Sequence, residues 1–236
     1  MKVAFTGLPD TTARLSSGFR REDVLCIPLI RPARLPASLK LLRALAKELY
    51  RFDAVAFTSK TAVRLALRAA PRLRRFKGRI IALGPGTSSE LAKHGILSPL
   101  VPETHSSEAL VSFVKGVVGY GRVLALCSRH SPLVKVRPQG WTVLPLYTLT
   151  LDWRAWARLM ALAGTGDCAI VVTSARAAQA LLRFPQALRH AKILAISERV
   201  GQVLRRGGLA PAWVYQGRDM ALFPQALKEA LLSERA

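Results

Sequence analysis

The sequence predicts an α/β protein built from parallel sheets covered on both faces by helices, and three observations carry that prediction. Short β-branched runs alternate with helical patterns from one end of the chain to the other, the rhythm of strand–helix–strand units. A Ser, Thr or Asp stands just ahead of most of the helical periodicities, where an N-cap belongs. The phrase DAVAFTSKTAVRLAL at 53–67 returns as DCAIVVTSARAAQALL at 167–182, so one strand–turn–helix unit is written twice.

Taken in order, the expected strands are KVAF, VLCIPLI, AVAFT, RIIAL, RVLAL, WTVLPLYTL, CAIVVT, KILAI and AWV. Each is a short apolar run of the kind that a sheet buried on both faces requires. Helix starts are marked by Ser59, Thr87, Ser106, Asp152, Ser174, Ser197 and Asp219, each placed as an N-cap before spacings of three and four. Gly95 and Gly208 stand where helices stop, because glycine takes the left-handed C′ conformation cheaply. The internal similarity continues beyond the Thr-Ser phrases: RIIALGPGTSSELAKHGI at 79–96 answers to KILAISERVGQVLRRGGL at 192–209. That alignment sets Gly84 beside Ser197, Thr87 beside Val200 and Gly95 beside Gly208. Further helices precede the two copies (PASLKLLRALAKELY, DWRAWARLMALAG) and follow them (SSEALVSFVKGVV, DMALFPQALKEAL).

The N-terminal and central segments are each a strand, a connection and a strand with a Pro-containing tail, and each repeat needs one of them to complete its sheet. Two assignments satisfy this. The chain divides into consecutive halves near residue 120, or a middle domain of about 34–145 is inserted into one made of 1–31 plus 150–236. In the second case PLIRPAR and LPLYTLT run side by side as linker strands, near 28–34 and 144–150, and the hinge frames a cleft.

Composition narrows the function. With 236 residues, half of them hydrophobic, the chain can bury a substantial core in one large or two modest domains. No apolar run approaches the ~18 residues of a membrane span, and MKVAFTGLPD breaks at Gly7 and Pro9 before a signal core could form; the expectation is a cytoplasmic protein with no membrane partner. Cys26, Cys127 and Cys168 form an odd, widely spaced set, read as reduced packing residues. Lys plus Arg number 36 against 14 Asp plus Glu, a net charge of +22, which favours polyanionic ligands. The densest basic cluster, PRLRRFKGR at 71–79, falls where a helix ends and reads as a solvated face. With no zinc-finger, RNP or helix-turn-helix signature, no specific nucleic-acid partner is expected.

Several chemistries are set aside. His94, His105, His130 and His190 lie on helix ends or loops without a Ser or Cys in a nucleophile elbow. GPGTSS lacks the Lys of a Walker loop and the glycine spacing of a dinucleotide loop. Cys127 and His130 have metal-like spacing but no second pair, so no metal is expected, and the loop chemistry gives no phosphate cofactor. Trp153 and Trp156, three apart at a helix start, are expected to pack in the core.

Open parallel sheets bind ligands beyond the carboxyl ends of their strands, where helix N-termini present N–H groups. Ser59 and Lys60, Gly86, Thr87 and Ser88, Ser174 and Arg176, and Ser197 all fall at such ends; they are the candidate anion-binding residues. Each Ser has a second role open to it, as a cap alone, and Lys60 and Arg176 have one as solvated first-turn side chains.

The ordered set AFTSKTAVRLAL, ALGPGTSSELAKHG, VPETHSSEAL, VLPLYTL, VVTSARAAQALL and ISERVGQVLRRGGLAP resembles the uroporphyrinogen-III synthase family over nearly the whole chain. The resemblance implies two flavodoxin-like domains joined by a two-stranded ladder, the middle of the chain being inserted, and so selects the second assignment. It implies a cofactor-free lyase whose substrate is hydroxymethylbilane, a linear tetrapyrrole with eight carboxylates; since nothing in the sequence demands a subunit interface, a monomer is the default expectation. Loss of the hydroxyl, attack by ring D through its substituted carbon and reclosure would give the type III product, whereas unassisted closure gives type I. It also places Tyr147 on the strand leaving the inserted domain as proton donor or hydrogen-bond partner for the departing hydroxyl; an interfacial aromatic with a wet hydroxyl is the other reading. The chain departs from the family pattern where Lys60 and Ala175 replace the Pro after Thr-Ser, where SERVG stands for a Gly-Pro-Thr-like turn, and where FTGLP lacks the usual Arg. Two rivals are a noncatalytic two-domain module that binds an anionic small molecule, and a basic nucleic-acid binder.

Overall fold

A computed structural model of the chain describes residues 1–188, 190–217 and 219–232. Its strands are β1 (Lys2–Phe5), β2 (Val24–Cys26), β3 (Ile30–Arg34), β4 (Ala54–Phe57), β5 (Arg79–Ala82), β6 (Val123–Ser128), β7 (Trp141–Leu151), β8 (Cys168–Val172), β9 (Lys192–Ala195) and β10 (Trp213–Val214). Its α-helices are α1 (Pro9–Leu15), α2 (Pro36–Leu45), α3 (Lys60–Ala69), α4 (Pro85–Ala92), α5 (Ser107–Val118), α6 (Leu133–Val136), α7 (Trp153–Ala163), α8 (Ala175–Leu181), α9 (Glu198–Arg206) and α10 (Phe223–Leu232). The chain divides into two compact units, Met1–Arg31 with Thr150–Ala236, and Pro32–Leu149.

In the first unit the sheet order is β10-β9-β8-β1-β2, and every pairing is parallel. Numbered along the chain within that unit this is the flavodoxin-like order 2-1-3-4-5. Side chains alternate between faces: Ala4, Ile170 and Ile193 pack with Leu159, Leu181 and Leu204 on one side, and Phe5, Val171 and Leu194 with Leu15, Phe223 and Leu227 on the other. Period-two alternation in a strand and period-3.6 stripes on the helices produce these two layers.

The second unit repeats the sheet with a shifted chain start. Its order is β3-β7-β6-β4-β5, with β7-β6-β4-β5 standing as β2-β1-β8-β9 do in the first, and Leu100 bridging to Ile81 at the edge that β10 occupies there. Val55, Phe57, Leu124 and Leu126 pack with Val63 and Leu67 of α3 and Leu91 of α4; Ala54, Ala56, Ile81 and Val123 face Leu110 and Val114 of α5. Fully burying a side chain such as Phe57 contributes about 2–3 kcal/mol. The chain enters this unit through β3 and leaves it through β7, which is hydrogen-bonded to β3 at the sheet edge, as in the bond from Leu35 N–H to Leu146 O.

Four expectations are corrected. VLCIPLI is not one strand: Pro28 has no N–H to give a ladder, so β2 stops at Cys26 and β3 begins at Ile30. Thr87 is not an N-cap; Gly84 is, with Pro85 in the first turn, because proline is preorganised for that position. Asp219 caps a turn rather than the last helix, its carboxylate accepting from Ala221 N–H at 2.8 Å, and α10 starts at Phe223. Trp153 is not core. It is 54% exposed at the first position of α7, with the Arg183 guanidinium 5.6 Å from its ring centroid, while Trp156 packs against Phe184 at 5.0 Å. Among the described residues no helix is long and apolar enough to cross a membrane.

Candidate functional site

The residues singled out at the carboxyl edges gather into two sets, one on each unit. In the second unit β4 and β6 are neighbours where the strand order reverses, and their register brings Phe57 opposite Leu126. Beyond that point Thr58 turns its hydroxyl onto Leu126 O at 3.3 Å, and Ser59 begins α3 in an extended conformation. The Ser59 hydroxyl does two things at once: it accepts from Ala62 N–H at 3.1 Å and shares a hydrogen bond with the Tyr147 phenol at 2.9 Å.

Tyr147 reaches Ser59 because β7 pairs with β6 beyond a register shift at Cys127/Ser128, which sets Tyr147 opposite Ser128. It is 7% exposed. Its oxygen faces the hydroxyls of Ser59, Ser128 and Thr61. Burial raises the phenol above its ordinary pKa, with buried Cys127 adding to the effect and the three hydroxyls opposing it. The group is therefore a neutral donor throughout the physiological range. Thr61 and Ser128 were not legible as site residues, since only the β4–β6–β7 neighbourhood brings them together.

Lys60 and α4 form the next part of the edge. The Lys60 side chain lies over Gly86, where an added Cβ would meet Lys60 Cε at 3.0 Å. Pro85 has no N–H, and Thr87 and Ser88 both donate back to Gly84 O at 3.0 Å, so Gly86 is the first-turn donor not used in that capping. Among the backbone donors of Gly86, Thr87 and Ser88, the Gly86 N–H is thus the one left by this capping, and Thr87 is buried. An ammonium held at a helix N-terminus adds positive charge to positive potential, an arrangement that an anion stabilises. His105, set aside above as a catalytic base, lies against Gly84, where a Cβ would stand 2.6 Å from its Cδ2, so a side chain there would have to displace the imidazole.

The first unit carries the counterpart. Thr6, at the end of β1, donates its hydroxyl to Val171 O at 3.2 Å and accepts from Thr173 N–H at 3.0 Å, tying the two strands at the order reversal. Gly7 follows, and a Cβ there would sit 3.1 Å from Thr173 Oγ1. Neither Thr6 nor Gly7 was singled out, although both stand in the FTGLP segment. Ser174 is exposed and caps α8 by accepting from Ala177 N–H at 3.1 Å. Arg176 is half-buried in the first turn of α8. Ser197 precedes α9 in extended conformation with no side-chain capping bond, so its hydroxyl is not spent on capping.

The remaining candidates do not assemble. His130 Nε2 bonds Thr148 Oγ1 at 3.0 Å, burial pushes the Cys127 thiol up to about 12, and no group of three or more His, Cys, Asp or Glu could hold a metal among the described residues. The cluster at 71–79 is largely exposed and ends at Arg79, opposite the first residue of β4, at the other end of the sheet from Ser59.

Three comparisons bear on this architecture. A family model described as uroporphyrinogen-III synthase HemD matches residues 17–221. A mutant uroporphyrinogen III synthase from the extremely thermophilic bacterium Thermus thermophilus superposes with a TM-score of 0.60 at 24% identity, over 99% of each chain. Uroporphyrinogen-III synthetase from Helicobacter pylori 26695 superposes with a TM-score of 0.66 at 15% identity, over 97% of this chain and 99% of that one. These likenesses establish the fold as two-unit α/β. No curated protein matches the chain. The family match spans most of the sequence, including both β7 with Tyr147 and the paired Thr-Ser turns: the chain belongs to the uroporphyrinogen-III synthase family.

Proposed function

We propose that the chain cyclises hydroxymethylbilane to uroporphyrinogen III, with inversion of ring D and loss of water, as a cyclising hydro-lyase that works as a cytoplasmic monomer. Family membership makes it an enzyme of tetrapyrrole synthesis. The observation that carries the finer reading is the hydroxyl cluster around Tyr147 at the strand-order reversal, the position where open α/β sheets bind ligands.

In the proposed step the C–O bond of the hydroxymethyl group breaks with its electron pair going to oxygen, and the Tyr147 phenol gives that oxygen a proton so that water leaves. An ordinary phenol, with a pKa of about 10, is a far stronger acid than water, at about 15.7, and burial narrows that gap; the transfer to a nascent hydroxide is downhill in that sense. Ser59 Oγ accepts from Ala62 N–H and can turn its own proton toward the Tyr147 oxygen, supporting the phenolate as it forms. Ring D then attacks through its substituted carbon, the spiro species reopens and closes inverted, and the proton that ring D loses from its free carbon on that closure restores the phenol. The enzyme's main task in this reading is conformational, holding a geometry that free closure does not reach; positioning of this kind is worth several kcal/mol.

Lys60 with the Gly86 N–H, and Ser174, Arg176 and Ser197 on the first unit, are proposed to receive substrate carboxylates. The deciding experiment is product analysis. Hydroxymethylbilane is generated in place, the protein is added, and the oxidised uroporphyrins are separated. Type III product that scales with protein concentration supports the synthase; type I alone with folded protein overturns it and leaves an anion-binding module.

A further inference from the structure

We infer that a second, arginine-lined pocket on the Pro32–Leu149 unit receives one peripheral carboxylate of the substrate, an inference that rests on the synthase reading above. The pocket, about 250 Å³, is lined by Pro32 and Arg34 from the β3 strand and by Thr61, Arg64, Leu65 and Arg68 from α3. On α3 the spacing of 64 and 68 puts both guanidiniums on one face, one turn apart. Three arginines thus line one small volume.

Their charges are unevenly answered. Arg64 is gripped by the buried Glu90 in a fork, Nε to Oε1 at 2.7 Å and Nη2 to Oε2 at 3.0 Å. Arg34 and Arg68 make no ion pair with a carboxylate among the described residues. An incoming carboxylate would therefore be stabilised beside Arg34 and Arg68, and the planar arginine fork suits that group's geometry. The three arginines are exposed, and the concavity they line includes Thr61, whose hydroxyl also acts on the Tyr147 oxygen. Thr61 joins the pocket to the hydroxyl cluster, so an acid arm anchored beside Arg34 and Arg68 leaves its pyrrole near the reacting groups. None of the turns considered above accounts for this site, which lies along the flank of α3 rather than at its N-terminus.

The test uses Arg34→Gln, Arg68→Gln and the double variant, with Arg64 left intact because it holds Glu90. Two readouts are taken: steady-state kinetics with hydroxymethylbilane, and fluorescence titration with uroporphyrin I, an octacarboxylate whose binding needs no turnover. The double variant is expected to raise KM and the uroporphyrin I Kd about tenfold, the value of one charge-assisted hydrogen-bonded contact, with kcat and the type III share retained. Arg68→Lys should recover only part of the loss, since a point charge lacks the fork. A KM and Kd within about twofold of the parent, in protein whose melting temperature is unchanged, overturns the subsite while normal type III formation leaves the synthase reading intact. Parent protein that forms no type III product overturns the synthase reading, and a Kd that still rises in the variants then marks the pocket as a carboxylate site of another ligand.

Discussion

Tyr147 is held by a strand rather than a loop, and its oxygen meets Ser59 at 2.9 Å inside a nearly dry shell. Those two facts give its substitution a defined signature. Tyr147→Phe keeps the ring and removes the donor, so kcat should fall about tenfold to a hundredfold, at the low end of general-acid effects because conformational control remains, and stability should drop by about 1 kcal/mol for the lost hydrogen bond. The raised phenol pKa fixes the sign of the pH response. The active form is the protonated one, so the parent rate should show no alkaline loss from this group until the pH passes 10, the ordinary phenol value. A pH–rate profile of parent and variant checks this; an alkaline limb near pH 8 that disappears in Tyr147→Phe would show an acidified phenol and contradict the environment described. The departures from the family pattern also act at this scale. Lys60, standing where the resemblance leads one to expect Pro, places an ammonium over Gly86 and adds a cation to the turn.

Helices α3 and α4 are joined by an ion pair that the sequence did not reveal. Glu90 is 4% exposed, forked by Arg64 and approached by Lys93 at 3.9 Å and His94 at 3.7 Å. The hydrogen bond from Arg64 holds its pKa below the ordinary value of 4.5 against the cost of burial, with the charges of Arg64, Lys93 and His94 helping. A depressed folded-state pKa contributes stability that is present above the unfolded value and lost as pH falls through the folded one; the loss attributable to Glu90 therefore lies below about pH 4.5. Glu90→Gln should cost about 1–2 kcal/mol at pH 7, discounted because Arg64 is half exposed, and should flatten the melting-temperature profile below pH 4.5. A profile with the same acid slope in variant and parent would refute the assignment.

At this same scale the limits of sequence reading become physical. The strands, the doubled unit and the caps at Ser59, Ser106, Asp152 and Ser174 were legible because they are local, set by periodicity and short-range hydrogen bonding. Gly84 was missed as a cap because Thr87 has the better capping side chain, and only Pro85 moves the helix start forward. Thr61, Ser128, Thr6 and Arg34 were missed because their roles depend on which strands become neighbours, a nonlocal fact that composition and spacing do not encode.

The whole molecule carries a net charge of +22, far more than the turns and the arginine pocket can use, and the exposed cluster at 71–79 lies at the other end of its sheet from Ser59. Such charge acts at long range. A substrate with eight carboxylates should be drawn toward the protein before any contact forms, so the encounter rate, rather than the chemical step, is where most of the surplus acts. The consequence is a salt dependence that separates kinetic constants. With the Debye length near 10 Å at about 0.1 M and shorter above it, raising ionic strength from about 0.02 to 0.3 M should lower kcat/KM roughly tenfold or more, while kcat at saturation changes little because the contacts around Tyr147 are shielded from solvent. Charge reversal within the 71–79 cluster, as in Arg74→Glu with Lys77→Glu, should lessen that slope without touching kcat. A kcat/KM that is flat with salt would mean that the surplus charge does not steer the substrate, and that binding rests on the short-range contacts alone.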